Sequence, residues 1–172
     1  MSARWPLFVL FASASLSSSA LASEPHSEDE DVDRTLVVGL GGAAEVEVAD
    51  GTLCPGGNIF VEWDAVENGL ELELGVSALG AENALQVPVD LLFKKPFRLT
   101  RWVEFMVGLG PEIVTTFNGP TKGTRFGGEA ALDFMFWPWQ RGGFWIEPSC
   151  DVVFQDGVSL GIGSTGGIMV GW

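Results

Sequence analysis

From Leu36 to Trp172 the chain alternates apolar side chains with small or acidic ones at every second position, and turn residues interrupt the alternation at fairly regular intervals. Successive side chains of a strand point to opposite faces, so a two-residue period sustained this far specifies two-faced strands and excludes amphipathic helices, whose period is 3.6. Leu70, Leu72, Leu74, Val76 and Ala78 share one parity, against Glu71, Glu73, Gly75 and Ser77 on the other. Val103, Phe105, Val107 and Leu109 oppose Glu104, Met106, Gly108 and Gly110, and Leu132, Phe134 and Phe136 oppose Glu129, Ala131 and Asp133. The pattern parses into eight strands: Leu36 to Val48, Asn58 to Val66, Leu70 to Ala78, Leu85 to Lys94, Trp102 to Glu112, Arg125 to Phe136, Phe144 to Phe154 and Val158 to Trp172. Regular short strands with turn signals between them predict an all-β fold, an eight-stranded antiparallel up-and-down barrel.

Alternation alone does not say which face is inside. A soluble lipocalin-like barrel, holding an apolar ligand, alternates with the opposite sense. The glycines favour one sense: Gly39, Gly41, Gly75, Gly108, Gly110, Gly127, Gly161, Gly163, Gly167 and Gly171 fall on the carboxylate face, whereas the other face is almost wholly Val, Leu, Ile, Phe and Ala. A narrow closed barrel needs small residues inside, so the carboxylates are expected in the lumen and the apolar residues in lipid. Most of the strands have about the nine to eleven residues a tilted membrane strand requires, and the strand number is even. With both ends periplasmic, the connections Glu67 to Gly69, Lys95 to Arg101 and Trp137 to Gly143 become inner turns. Asp50 to Gly57, Leu79 to Ala84, Asn118 to Gly123 and Gln155 to Gly157 then face outside. Trp102, Trp137, Trp139, Trp145 and Trp172 gather at the inner end, as an interfacial aromatic girdle would. Pro88, Pro111 and Pro148 oppose the model, because a closed barrel has no free edge where a missing N–H is harmless. Bulges or strand ends would have to accommodate them.

The chain ends Gly167-Ile168-Met169-Val170-Gly171-Trp172. This resembles the closing strand of a Gram-negative outer-membrane barrel, in which the terminal aromatic strand is read by the assembly machinery. On that resemblance Ile168, Val170 and Trp172 form the assembly signal. The stretches Val87-Pro88-Val89-Asp90-Leu91-Leu92-Phe93-Lys94-Lys95-Pro96-Phe97, Val103 to Glu112 and Gly128-Glu129-Ala130-Ala131-Leu132-Asp133-Phe134-Met135-Phe136-Trp137-Pro138-Trp139 are similar to those of a family of small uncharacterised proteobacterial outer-membrane β-barrel proteins. The resemblance covers roughly the C-terminal half and implies architecture and location. It carries no activity and no catalytic residue.

At the other end, Arg4, the apolar stretch Trp5 to Leu16 and the small residues up to Ala20-Leu21-Ala22 have the parts of a cleaved secretory signal peptide, and the apolar stretch is too short for a membrane helix. Residue 23 is Ser, so the Cys a lipid anchor needs is missing. About 150 residues remain, enough for one domain. Glu24, Glu28, Asp29, Glu30, Asp31 and Asp33 make an acidic run with nothing apolar to fold around, which predicts a disordered tail. The expected organisation is therefore a signal peptide over 1–22, a tail over 23–35 and a barrel domain over 36–172. A net charge of −14 excludes nucleic acid as a partner.

Chemistry is sparse. The only histidine, His26, lies in the tail, and no nucleophile motif accompanies the carboxylates, so no Ser- or Cys-type relay can be assembled and the chain is read as non-enzymatic, with no cofactor. Cys54 and Cys150 are too few for structural zinc and fall on elements that are not neighbours, in an outer loop and mid-strand. The distinctive feature is the inward parity of Glu45, Glu47, Glu62, Asp64, Glu71, Glu73, Asp90, Glu104, Glu112, Glu129, Asp133, Glu147 and Asp151, with Lys94 as the clear inward base. Buried unpaired charge is costly, so water, protonation or bound cations must compensate. Glu71, Glu73, Glu104, Glu129, Asp133 and Glu147 are the candidate cation contacts. Lys122 and Arg125, near the third outer loop, could meet lipopolysaccharide phosphates. These features predict a small, monomeric outer-membrane barrel of structural or surface-interaction role, in contact with lipid and the assembly machinery. A narrow cation pathway or cation-binding barrel and a soluble ligand-binding barrel are the rival readings.

Overall fold

The computed structural model describes residues 34–66, 69–81, 84–119, 122–155 and 157–172; the expected signal peptide and almost all of the expected tail lie outside the described residues. Eight strands follow one another: β1 (Leu36–Glu47), β2 (Leu53–Val66), β3 (Leu70–Ala81), β4 (Ala84–Thr100), β5 (Val103–Phe117), β6 (Gly123–Phe136), β7 (Gly142–Gln155) and β8 (Gly157–Gly171). Each pairs antiparallel with the next, and β1 pairs with β8, closing an up-and-down barrel. Closure matters because it leaves no edge of unpaired backbone groups, the condition for strands to stand in hydrocarbon. No described helix is long and apolar enough to cross a membrane, a criterion that does not bear on barrels.

The strand count and direction follow the period-two pattern, but the strands overrun several turns expected from composition. β2 already begins at Leu53, within the expected Asp50 to Gly57 turn, and β4 continues through Lys95 and Pro96 to Thr100, within the expected Lys95 to Arg101 turn. Both extensions lie where Pro and Gly, or consecutive basic residues, hide the alternation. Their backbone pairing is nevertheless supplied across the barrel, Leu53 to Gly57 against β1 and Lys95 to Arg98 against β5. The connection between β1 and β2 is tight. Gly51 takes a positive φ of 76°, and the Thr52 N–H donates to Asp50 Oδ1 at 2.9 Å, which holds the Asp50 carboxyl below its ordinary pKa.

The prolines are accommodated without bulges. In the β3–β4 ladder the pairing skips from Val76↔Val89 to Leu79↔Gln86, omitting the step at Pro88. The β4–β5 ladder likewise skips from Asp90↔Glu112 to Phe93↔Leu109 around Pro111, and the β6–β7 ladder from Ala131↔Ser149 to Phe134↔Ile146 around Pro148. Register is the same on both sides of every gap. Each proline stays in register with its other neighbour, Val114, Gly128 and Ser164 respectively. The missing N–H therefore costs a local break in one ladder instead of a change of face.

Apolar side chains cover the outside, among them Leu40, Leu74, Leu109, Leu132, Ile162 and Ile168, all exposed. Phe97, Phe105 and Phe134 stack across β4, β5 and β6 with centroids 6.0 and 5.0 Å apart, and Trp139 packs on Phe144 at 5.5 Å. Trp102, Trp139 and Trp172 are exposed near that end, as a girdle requires. Trp137 and Trp145 are not part of it. They point inward, 3% and 4% exposed, and join Val37, Phe60, Met106, Met135 and Met169 in a buried apolar core. The reason is parity: Trp145 shares the face of Glu147 and Asp151 on β7, and Trp137 continues the inward face of Asp133 and Met135 beyond β6. The two cysteines are free. Cys54 is buried, in β2 instead of a loop, and Cys150 faces out, so the barrel wall separates them.

Arg34 and Thr35 already engage the barrel before β1 begins. The Arg34 guanidinium lies 4.0 Å over the Trp137 ring and its Nε donates to the Gln140 carbonyl, while the Thr35 carbonyl accepts from the Asp64 N–H. These contacts add to the packing of the apolar core at the Trp172 end of the interior.

Candidate functional site in the barrel interior

Inward residues of an eight-stranded barrel normally fill the lumen by themselves, and here much of that filling is charged. Lys94 is fully buried at mid-barrel, on the inward face of β4. Its Nζ donates to Glu73 Oε2 at 2.7 Å, to Asp133 Oδ2 at 3.0 Å and to Glu147 Oε2, and lies 3.6 Å from Glu62 Oε2. Carboxylates from β2, β3, β6 and β7 thus converge on one ammonium, tying opposite walls together. The register makes room for it: a Cβ on Gly108, the β5 partner of Lys94, would lie 2.9 Å from the lysine Cγ.

Beneath this knot, toward the Trp172 end, the apolar core closes the bore. Phe60 and Trp145 meet edge to face with centroids 5.0 Å apart, and Trp145 Nε1 donates to Thr165 Oγ1 at 3.3 Å. Lys94 Nζ lies 5.9 Å from the Phe60 centroid, so the ammonium caps the aromatic plug. Gly39 faces the Phe60 ring so closely that a Cβ there would fall within it. Gly39→Ala is therefore expected to displace Phe60 and lower barrel stability by about 1–3 kcal/mol, the usual cost of overpacking, measured by urea unfolding from lipid vesicles.

Above the knot, toward the Asp50 end, a second acidic group surrounds a cavity of about 40 Å³ lined by Glu45, Asn58, Asp90, Glu112, Glu129 and Asp151, among others. One carboxylate oxygen from each of Glu112, Glu129 and Asp151 can be chosen so that all lie within 4.8 Å of one another. The lower carboxylates Glu62, Glu73 and Asp133 form a similar group. Cross-strand register explains how so many acids fit. Asp90 pairs with Gly75, Glu112 with Gly127, Glu129 with Gly110, Asp151 with Gly161 and Glu45 with Gly163. A Cβ on Gly75 would lie 2.6 Å from both Asp90 carboxylate oxygens, and one on Gly161 would lie 2.5 Å from Glu45 Oε1.

The candidate contacts named from sequence do not form one site. Glu73, Asp133 and Glu147 surround Lys94, and Glu73 and Glu147 also reach the wall of the upper cavity. Glu129 belongs to the upper group. Glu71 and Glu104 sit at the Trp172 end, lining a separate recess of about 170 Å³ with Asp64, Pro96 and Arg98, where Arg98 Nε lies 3.8 Å from Glu104 Oε1. The sequence does not bring Asn58, Glu112 and Asp151 together as a group, because they lie on three strands far apart in sequence. Parity placed the two acids inside, but only register places them side by side. Arg125 follows the inward parity of β6 and donates from Nη2 to Thr116 Oγ1 at 3.0 Å, while Lys122 is exposed at the rim. Ile168, Val170 and Trp172 of the expected assembly signal all point outward.

No family model and no curated protein matches the chain. Solved structures do match in fold. The outer membrane protein OprG from Pseudomonas aeruginosa superposes with a TM-score of 0.61 at 10% identity, covering 81% of this chain and 96% of that one. Neisserial surface protein A gives 0.60 at 10% identity, with 80% and 96% covered. The N-terminal β-barrel domain of OprF from Pseudomonas aeruginosa gives 0.55 at 13% identity, with 81% and 100% covered. At such identities the likeness is one of architecture: the chain has the fold of the small eight-stranded outer-membrane barrels.

Proposed function

We propose that the chain is a non-enzymatic, non-conducting barrel of the Gram-negative outer membrane, with a structural or surface-interaction role and monomeric in lipid. The observation that carries this reading is the interior. The Lys94 knot lies above the aromatic and methionine core, and both are buried across the middle and the Trp172 end of the bore. An ion crossing the barrel would have to displace a fully buried lysine from its carboxylates and then pass an apolar plug. The exposed aliphatic exterior and the aromatics at one end support a lipid environment and weigh against a soluble ligand-binding barrel, whose apolar face would be inside. The short connections at the Asp50 end limit any surface contact to a small rim. Lys122, exposed on that rim, is suited to a lipopolysaccharide phosphate.

Cell fractionation and planar-bilayer recording test the two halves of the proposal. Recovery in the outer-membrane fraction, with no resolvable single-channel current, is expected. Recovery in the soluble periplasm would overturn the location, and a cation current that falls in Glu73→Gln would overturn the closed bore in favour of a cation pathway. The assembly signal makes a separate prediction. Trp172→Ala should lower the outer-membrane yield and increase periplasmic degradation with export unchanged, read by immunoblot of the fractions, and a normal folded yield would remove the outward terminal strand from that role.

A further inference from the structure

The two acidic groups of the interior are built alike but differ in what they contain. In the lower group, the oxygens of Glu62, Glu73 and Asp133 that lie within 4.8 Å of one another have the Lys94 ammonium beside them. In the upper group, oxygens of Glu112, Glu129 and Asp151 also lie within 4.8 Å of one another, around the 40 Å³ cavity, with Lys94 committed below. Asn58 gives an independent indication that a ligand belongs there. It is 8% exposed, its Nδ2 donates to Ser77 Oγ at 3.0 Å, and its Oδ1 is buried in the wall of that same cavity with no hydrogen-bond donor. Asp90 Oδ2 and Glu112 Oε2 are buried there without a donor as well. An amide oxygen carries no net charge and cannot be relieved by taking up a proton in the ordinary pH range. It requires a donor or a cation, because an unsatisfied buried acceptor keeps the cost of its lost hydration uncompensated.

We propose that Glu112, Glu129, Asp151 and the Asn58 amide oxygen, with Asp90 and Glu45 beside them, form a binding site for a single Ca²⁺ ion inside the barrel. The donors are all oxygen, which selects a hard cation over zinc or copper. They come from β2, β5, β6 and β7, with Glu45 on β1 and Asp90 on β4, so their geometry is irregular. Ca²⁺ accepts six to eight oxygens in flexible arrangements, whereas Mg²⁺ demands a near-ideal octahedron and keeps several waters. A cavity of about 40 Å³ has room for only a few waters, which favours the ion that sheds its shell more readily. Access is from the Asp50 end, where Glu45, Glu112 and Asp151 also line a smaller recess with Glu47, Gln86, Arg125 and Ser159. The glycines complete the cradle: Gly127 and Gly161 leave the space that Glu112 and Asp151 occupy, a Cβ at either position lying 3.3 Å from a carboxylate oxygen. The site is independent of whether the barrel conducts, because it lies above the Lys94 knot.

The test is calorimetric titration of CaCl₂, and separately of MgCl₂, into chelator-treated barrel refolded in detergent at constant ionic strength. Folding of each sample is verified by its heat-modifiable electrophoretic mobility. One Ca²⁺ per chain is expected, saturating by about 10 mM, beyond the ~10⁻⁴ to 10⁻³ M range of extracellular calcium modules, with Mg²⁺ at least tenfold weaker. Glu129→Gln and Asp151→Asn should each weaken Ca²⁺ at least tenfold and Asn58→Ala severalfold, while Glu71→Gln, at the far end, should leave it unchanged. Unfolding of the unmodified protein in urea provides a measurement that needs no variant: its midpoint should rise with CaCl₂ and less with MgCl₂. Folded protein that neither takes up Ca²⁺ nor gains stability from it overturns the proposal. So does Ca²⁺ uptake that is unchanged in folded Glu129→Gln and Asp151→Asn, or matched by Mg²⁺.

Discussion

Lys94→Met should destabilise the folded barrel by about 3–5 kcal/mol, the cost of breaking a buried charge network by removing one sign. Methionine keeps most of the volume of the lysine stem, so a cavity contributes little and the loss reports on charge. Without the ammonium, Glu62, Glu73, Asp133 and Glu147 face one another from separate strands, buried and with no replacement donor at the centre. Their repulsion acts across the lumen and pushes opposite walls apart. The diagnostic is recovery. Adding Glu73→Gln, Asp133→Asn and Glu147→Gln to Lys94→Met should restore a large part of the stability, because amides can bond to one another and carry no charge. The same amides placed in the unmodified protein should destabilise it, since Lys94 would then keep only Glu62, at 3.6 Å, as a counter-charge. Urea unfolding in vesicles measures all three. A Lys94→Met barrel as stable as the parent would mean that water, and not the ammonium, satisfies the carboxylates.

The sequence discloses this network only in part, and the reason is geometric. Period two assigns every residue to a face, so the inward positions of Lys94 and of the acids from Glu45 to Asp151 are legible along single strands. What parity cannot say is which inward residues meet, because that depends on register between strands, and register depends on where the hairpins turn. β2 and β4 extend well into the turns that Gly, Pro and basic residues suggest, and each extension changes which residues stand opposite. Glu71 and Glu73 are two positions apart in sequence, yet one lies in the recess with Arg98 and the other is bonded to Lys94. The tryptophans show the complementary failure. Their clustering near one end is real, but an aromatic at the right depth belongs to a girdle only if its parity is outward. Trp137 and Trp145 satisfy the first condition and not the second. For Pro88, Pro111 and Pro148 the sequence raises the correct objection, and the backbone answers it by opening one ladder at each proline while leaving the register intact.

Leu109→Arg should cost about 2–4 kcal/mol if the outer face stands in hydrocarbon, whereas Phe117→Arg should cost about 0–1 kcal/mol. Leu109 is mid-strand on β5 and 66% exposed, paired across the outer surface with Ala130. Phe117 is on the same face of the same strand but at its Asp50 end, also exposed. In water, neither substitution would matter much, because an arginine on an exposed face is well solvated. In a bilayer the cost depends on depth, since a guanidinium at the midplane must draw water and headgroups toward it, while one at the rim is already among them. The contrast between the two variants therefore tests the sense of the barrel independently of fractionation. Both should be compared as reversible urea unfolding from vesicles of a single lipid, so that bilayer thickness is constant. A Leu109→Arg barrel that inserts and unfolds like the parent would show that this face is not in lipid, and the apolar exterior would then have to be covered by protein. A large cost at Leu109 with a small one at Phe117 requires a hydrocarbon layer centred near the middle of β5, which places the Lys94 knot and the upper acidic cavity inside the membrane, shielded from it by the barrel wall.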